Sequence, residues 1–470
     1  MINSVHILLR RALIGAAVMA CFISLHIDLV LAQTMHIYPK NKSVAYRHVI
    51  EKFSDIDWER VLPGDVIIIH GDDSLPYIET FTIRANGSAR DNIIIKAAEG
   101  EAPIIEAPVF FVNASYVRFD GITVRKSGES GVNIKDGSHN IVISGCKIYS
   151  NKLGICIEAS GGMGNVLKDN EIYSNDIHGI GVDVANCVPG KETIIAKNKI
   201  YSNGYHGIEV NGCFYIVEEN VVHNNGMQSS GTSGIHTYAR NAEQEAGDHN
   251  IIRYNISYSN RDGSGQDGNG IQLDQWCDYN QVYYNICYGN DGAGINIFDS
   301  ANSTIYNNSL FGNMIDPGRS HRYRAEIILA SDYVHNVDHV KNVKVFNNII
   351  VSDNPDGYCI YVDDLTSKNA LEIGNNAFFH TKSRGLYFWD NSGGVDIKKW
   401  NRLKPVFKTD IYIDPSFKIF PPCKIEDFEL EKGSSCIGKG IFAGQERDLL
   451  GSKIDKTLSL GALEYSKKYK

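Results

Sequence analysis

Asn170-Glu171-Ile172-Tyr173-Ser174-Asn175, followed by Gly179-Ile180-Gly181-Val182, returns one unit later as Asn198-Lys199-Ile200-Tyr201-Ser202-Asn203, followed by Gly207-Ile208-Glu209-Val210. With insertions it returns again at Asn255, Asn260 and Gly270-Ile271-Gln272-Leu273, and at Asn285, Asn290 and Gly294-Ile295-Asn296-Ile297. Degenerate copies run from about Gly131 to about Leu386. Each unit alternates apolar and polar residues over only three to five positions, the period of a half-buried strand. Glycines 131, 154, 179, 207 and 234 lie 23, 25, 28 and 27 residues apart, room for three short strands and three turns. One such coil cannot bury its apolar face alone, whereas stacked coils bury a continuous Ile/Val/Leu column. The repeat therefore predicts an all-β, right-handed parallel β-helix of roughly ten or more coils. The recurrent glycines fit turns of positive φ, and the recurrent asparagines fit stacked turns whose amides satisfy one another. The spacing of a leucine-rich repeat is absent.

An open stack exposes sheet edges and needs caps. Ser43 can N-cap a helix that places Tyr46, Val49, Ile50 and Phe53 on one face, a plug for the first end. The segment from about Ile411 loses the repeat and is expected to fold over the last coil. The boundaries read as 1–32 for an export signal, 33–106 for the N-terminal cap and first strands, 107–400 for the coils, and 401–470 for the closing segment.

Arg10 and Arg11 precede the apolar run from Ala12 to Leu31, and Val30-Leu31-Ala32 offers a cleavage site before Gln33. The mature protein is expected outside the cytoplasm, in periplasm or medium, as a monomer with no membrane span. The net charge of −9 gives no global basic surface for nucleic acid. Export permits disulfides, and Cys187 with Cys213 and Cys423 with Cys436 are the pairs to test. Buried thiols are the reading for Cys146, Cys156, Cys287 and Cys359.

Leu62-Pro63-Gly64-Asp65-Val66-Ile67-Ile68-Ile69 and Gly87-Ser88-Ala89-Arg90-Asp91-Asn92-Ile93-Ile94-Ile95-Lys96-Ala97 resemble the N-terminal module of secreted β-helix proteins related to polysaccharide lyases. Asp414-Pro415-Ser416-Phe417, Asp427-Phe428-Glu429-Leu430 and Gly461-Ala462-Leu463-Glu464 resemble the closing module of the same superfamily. The resemblance covers nearly the whole mature chain and implies architecture, not a reaction. The epimerases' Asp-Pro-His and the pectate lyases' Arg-x-Pro are absent. His178-Gly179 and His206-Gly207 echo the polygalacturonases' Gly-His-Gly without its aspartates. Gly270 to Trp276 is similar to the nucleophile segment of β-helical xylosidases, which would make Asp274 the nucleophile, but Asn296-Ile297-Phe298-Asp299 stands where the acid/base Glu would be.

Alternation sorts the strand after each glycine into inward and outward positions. One outward ladder reads Asn133, Cys156, Gly181, Glu209, His236, Gln272 and Asn296. The second reads Lys135, Glu158, Asp183, Asn211, Tyr238, Asp274 and Phe298. This polar strip, with Trp276 nearby, suits a sugar chain whose hydroxyls need polar partners and whose ring faces stack on aromatics. Insertions at 227–233, 261–269 and 315–324 enlarge the same turn and wall the central rungs. The third carries Arg319, His321, Arg322 and Arg324, a clamp for a uronate carboxylate. The expected substrate is therefore a uronate-containing polysaccharide.

On the central coil His236 as base, Tyr238 as acid and Arg240 as neutraliser, with Glu209 and Asp274 beside them, carry the roles of β-elimination or epimerisation. Asp183, Gln272, Asn296, Trp276, Arg319, Arg322 and Arg324 are the expected substrate-binding residues. Glycoside hydrolysis by an Asp/Glu pair from Asp183, Glu209 and Asp274 is the second reading, and a non-catalytic glycan-binding surface protein is the third. The sequence assigns no cofactor. The outward carboxylates and Asp363-Asp364 leave room for Ca2+, whereas no paired Cys/His motif calls for zinc.

Overall fold

A computed structural model describes residues 32–39, 49–183, 187–316, 318, 323–331, 339–366, 368–383, 385–403, 409–454 and 458–465. Among these the strands fall into three sheets of 14, 13 and 12 strands, joined in parallel to their equivalents one coil away except for an antiparallel hairpin, Tyr387–Trp389 with Ser392–Gly394, at the end of the 13-stranded sheet. A coil runs from the 12-stranded sheet (Glu171–Tyr173) to the 13-stranded sheet (Ile180–Val182), then to the 14-stranded sheet (Thr193–Ala196) and back at Lys199–Tyr201. Inward residues such as Ile155, Ile180, Ile208, Ile235, Ile271 and Ile295 are fully buried and form one column.

Two ladders of buried asparagines turn the corners. At one, Asn170 Nδ2 donates to Asn198 Oδ1 (3.0 Å), Asn198 to Asn220 (2.9 Å) and Asn220 to Asn255 (3.0 Å). That series continues to Asn376, whose Nδ2 donates to Asp410 Oδ1 at 3.0 Å. At the other, Asn151, Asn175, Asn203, Asn225, Asn260, Asn290 and Asn313 repeat the arrangement, and the last donates to Glu326 Oε2 at 2.5 Å. Each amide accepts from the coil before and donates to the coil after, so the final rung needs only to accept. An acidic side chain ends both.

The glycines serve a different purpose from the one their pattern suggested. The left-handed turn positions are filled by Ser150, Ser174 and Ser202 at one corner and by Asp169, Lys197 and Glu219 at the other. The repeat glycines instead line a channel where successive coils touch. A Cβ on Gly154 would lie 2.2 Å from the Gly179 carbonyl oxygen, and one on Gly207 would lie 2.4 Å from Val222 Cγ1. Glu326, paired through its neighbours with Cys359, breaks this channel, and the second ladder stops there.

Both ends are closed, with corrections to the expected caps. Ser43 and Tyr46 lie outside the described residues, and Val49–Ile50 is a short strand, not part of a helix. The plug is a 3-10 turn at Phe53–Asp55, whose Phe53 ring stacks on Phe81 at 4.0 Å. The last coil is closed by the helix Ile397–Leu403, whose buried Trp400 packs on Tyr387 and Trp389 and donates to Asp410. The C-terminal tail does not cover that end. It runs back along the side of the stack, where Tyr288 donates to the Cys423 carbonyl, Asn307 to that of Gly461 and Tyr254 to that of Arg447. Cys187 and Cys213 form a disulfide, whereas Cys423 and Cys436 are free. Cys146, Cys156, Cys287 and Cys359 are buried thiols.

Burial pushes the Glu326 carboxyl up to about 8, against the opposing hydrogen bonds from Asn313. The folded chain then keeps a proton that the unfolded chain releases near pH 4.5, so stability falls as pH rises from there to about 8. In thermal melts followed by circular dichroism, Glu326→Gln should lose less Tm than the parent between pH 5 and pH 8.5. Equal losses would contradict this assignment.

Candidate functional site

The outward face of the 13-stranded sheet carries the site. Its register pairs Asn133 with Cys156, Cys156 with Gly181, Gly181 with Glu209, Glu209 with His236, His236 with Gln272 and Gln272 with Asn296. The first outward ladder therefore has the order its repeat predicts. Alternation continues past the strand Ser233–Thr237: Ala239 is buried, and Tyr238 and Arg240 point outward.

At the centre His236 lies between two carboxylates, with Nε2 3.2 Å from Asp274 Oδ2 and Nδ1 3.7 Å from Glu209 Oε1. Glu209 Oε2 also meets His178 Nε2 at 2.8 Å. The rings of His178, His206 and His236 stack nearly parallel, with centroids 5.3 and 4.1 Å apart. The Ser233 backbone N–H donates to His206 Nδ1 at 2.9 Å. His178 and His206 each stand one residue before a repeat glycine, and sequence reasoning missed them as site residues. Their equal offset in consecutive coils was the available signal.

Burial alone would lower the His236 pKa, but Asp274 and Glu209 outweigh it and raise it to about 9. Burial likewise pushes the Glu209 carboxyl up, while His178 and His236 outweigh it and hold the group well below the usual range. His206 is lowered, first by burial and then by the charge on His236, and stays neutral. Burial and the neighbouring Glu209 raise Asp183. At neutral pH the centre is therefore an ion triad of carboxylate, imidazolium and carboxylate.

Three cavities follow one another along this face. The first, of about 410 Å³, is lined by Phe110, Asn133, Lys135, Lys152 and Glu158. Another, of about 270 Å³, brings Asp183, Asn211, Tyr238, Arg240 and Gln244 together. A third, of about 390 Å³, holds Gln266, Asp267, Gln272, Asp274, Asn296, Phe298 and Tyr323. The insertions wall this third cavity: Gly231 N–H donates to Asp262 Oδ1 (2.9 Å), Gly263 N–H to the Ser229 carbonyl (2.8 Å), and Asp316 lies against Gly265.

Other expected residues fall elsewhere. Trp276 leaves the strand in a left-handed turn and packs edge-to-face on His339 at 4.6 Å. Arg324 is buried and directed to the Asp316 carbonyl and Asp356, not to the groove. Arg319, His321 and Arg322 lie outside the described residues. Asp363, one of the two acids considered for Ca2+, is buried and accepts from Ser331, Thr366 N–H and the Thr366 hydroxyl. It anchors a turn.

Two family models match the chain: "Periplasmic copper-binding protein (NosD)" over residues 69–246 and "Right handed beta helix region" over 183–336. No curated protein matches the sequence. Among solved structures, the chain is similar to the A-module of mannuronan C-5 epimerase AlgE4 from Azotobacter vinelandii. Identity is 12%, coverage 71% of this chain and 91% of that one, and the TM-score 0.52. It is also similar to pectate lyase Pel9A (15% identity, 92% and 96% coverage, TM-score 0.47) and to XylC in complex with xylose (12%, 93% and 99%, 0.48). Fold and matches define the class: this is a right-handed parallel β-helix protein. Among the described residues no helix is long and apolar enough to cross a membrane.

The copper in the first family's description can be tested against the donors present. His206, Glu209 and His236 bring one ligand atom each within 4.8 Å of one another. Yet His206 Nδ1 accepts a backbone N–H, so in the neutral ring Nε2 carries the proton, the reverse of the usual ligand arrangement. The His206 and His236 rings lie 9° from parallel, so their in-plane lone pairs do not converge. The cluster does not fit a copper ion.

Because the folded pKa of His236 exceeds its ordinary 6.5, its contribution to stability is complete below pH 6.5 and is lost as pH rises through about 9. An NMR titration should place this ring near 9 and move it down by a unit or more in Asp274→Asn. A parent value near 6.5 would contradict the triad.

Proposed function

We propose that the protein is an exported, monomeric enzyme that cleaves a uronate-containing polysaccharide by β-elimination, or epimerises it, on the groove of the 13-stranded sheet. The observation that carries this reading is the cavity shared by Asp183, Tyr238 and Arg240, directly beside the Glu209–His236–Asp274 triad. Arg240 is exposed and offers a planar guanidinium to a substrate carboxylate, whose developing charge it stabilises during proton loss at C5.

The base differs from the one expected. His236 holds its proton to about pH 9 and faces carboxylates on both ring edges, so it positions the floor. Asp183, exposed on the groove and made more basic by partial desolvation and by Glu209, takes the C5 proton. The C5–H pair becomes the C4=C5 double bond, the C4–O bond breaks, and the leaving oxygen takes the Tyr238 proton. In epimerisation the C4–O bond stays and a proton returns to C5 from the opposite ring face. Hydrolysis is less favoured: Glu209 is held ionised by two imidazoles and is not poised as an acid, and Asp274 is tied to the His236 ring.

Purified protein on alginate, pectate or a bacterial exopolysaccharide should generate the ultraviolet absorbance of a conjugated C4=C5 product, or exchange C5 hydrogen with solvent. Tyr238→Phe should lower the rate about 10²- to 10⁴-fold with binding retained. New reducing ends without absorbance, or an undiminished rate in Tyr238→Phe, would overturn the assignment.

A further inference from the structure

The cavity above Asp274 has a composition unlike that of its neighbour. Its polar lining is rich in acceptors: the carboxylates of Asp267 and Asp274 and the amide oxygen of Asn296. Asn296 is 5% exposed and its Oδ1 has no hydrogen-bond partner. Gln272 Oε1 is already engaged by Ser233 and Asn269. No Lys, Arg or His lines it among the described residues. Phe298, Tyr323 and Ile328 supply the apolar side.

The surrounding field is negative. The Tyr205 hydroxyl is pushed above its ordinary value, first by burial and then by Glu209, Asp267, Asp262 and Asp274. A carboxylate placed over Asp274 would face an excess of acids, which the one His236 imidazolium between Asp274 and Glu209 offsets only in part. A ligand here must bring donors and positive charge together with an apolar ring face.

We infer that this cavity binds a hexosamine carrying a free, protonated amino group, next to the uronate held at Arg240. The ammonium has three N–H donors, which Asp267, Asp274 and the unpartnered Asn296 oxygen can receive. The pyranose face lies on Phe298 and Tyr323. An N-acetyl group would remove the charge and two of the donors. Tyr238 and Asp274 belong to consecutive rungs, about 5 Å apart, the length of one sugar unit. The substrate class is then a copolymer of uronic acid with de-N-acetylated hexosamine. This rests on the reading that the groove binds a polysaccharide.

The test is calorimetric binding of hexamers of glucosamine, N-acetylglucosamine and galacturonate to the full chain at pH 6 and 0.15 M salt, where the amine is protonated. The glucosamine hexamer should bind at least tenfold more tightly than the N-acetylated one. Asp267→Asn, which keeps the acceptor for Asn269, should remove most of that preference and leave the affinity for the N-acetylated hexamer unchanged. Equal affinity of the two, or a preference untouched by Asp267→Asn, overturns the amino-sugar assignment while the groove reading stands. No binding by any of the three, extended to a panel of polysaccharides, overturns the groove reading and this inference with it.

Discussion

A buried asparagine amide that accepts from one coil and donates to the next is the interaction on which the molecule depends. The inward Ile, Val and Leu side chains supply the larger hydrophobic term and decide which residues face inward, but that term is non-directional and indifferent to the fine alignment of one coil on the next. The amides are not. An Asn203 displaced by one residue would leave the backbone N–H of Asn175 and one of its two Nδ2 hydrogens buried without an acceptor, the other going to the Ile148 carbonyl, at about 1–3 kcal/mol for each lost partner. Seventeen asparagine and carboxyl rungs, joined by fifteen side-chain hydrogen bonds, therefore fix the rotation of each coil on its neighbour. The glycine channel follows from the same closeness, since the coils approach where a Cβ would meet the next carbonyl.

The site inherits that precision. Glu209, His236 and Gln272 occupy equivalent positions of three successive coils and project from rigid strands, so they converge without any loop to hold them. The second outward position adds Asp183, Tyr238 and Asp274 one step along the same strands. The loops add only walls. Asp262 gathers the N–H groups of Ser264, Gln266 and Asp267 on its own carboxylate and so holds the rim of the cavity in shape. The Cys187–Cys213 disulfide ties the loop after Asp183 to the turn after Asn211, on the other side of the groove.

Strand period and repeat length made most of this legible in the sequence. Alternation assigns inside and outside, and the 23 to 28 residue spacing assigns neighbours, so Glu209, His236 and Gln272 could be aligned without coordinates. What could not be read lies off the strands or in the protonation states. His178 and His206 belong to turns, where side-chain direction has no period. The basicity of His236 depends on acids from the coils on either side both reaching its ring. The tail binds the flank because the Tyr254, Tyr283, Tyr306 and Phe346 rings form an apolar strip there, and a C-terminal segment of irregular sequence gives no sign of which surface it will cover. Arg324 belongs to a turn and meets the Asp316 carbonyl and Asp356 of neighbouring turns, contacts that strand period does not predict.

The most direct measurement is the distance between nitroxide labels at Arg118→Cys and Lys344→Cys, with the exposed Cys423 replaced. These positions stand eight rungs apart on the outer face of the 14-stranded sheet. Pulsed electron–electron resonance should give a single narrow distribution centred at roughly 38 Å, broadened only by the label tethers. A broad distribution, or a centre displaced by more than two rungs, would mean that the coils do not stack in this register and that the groove does not exist as described.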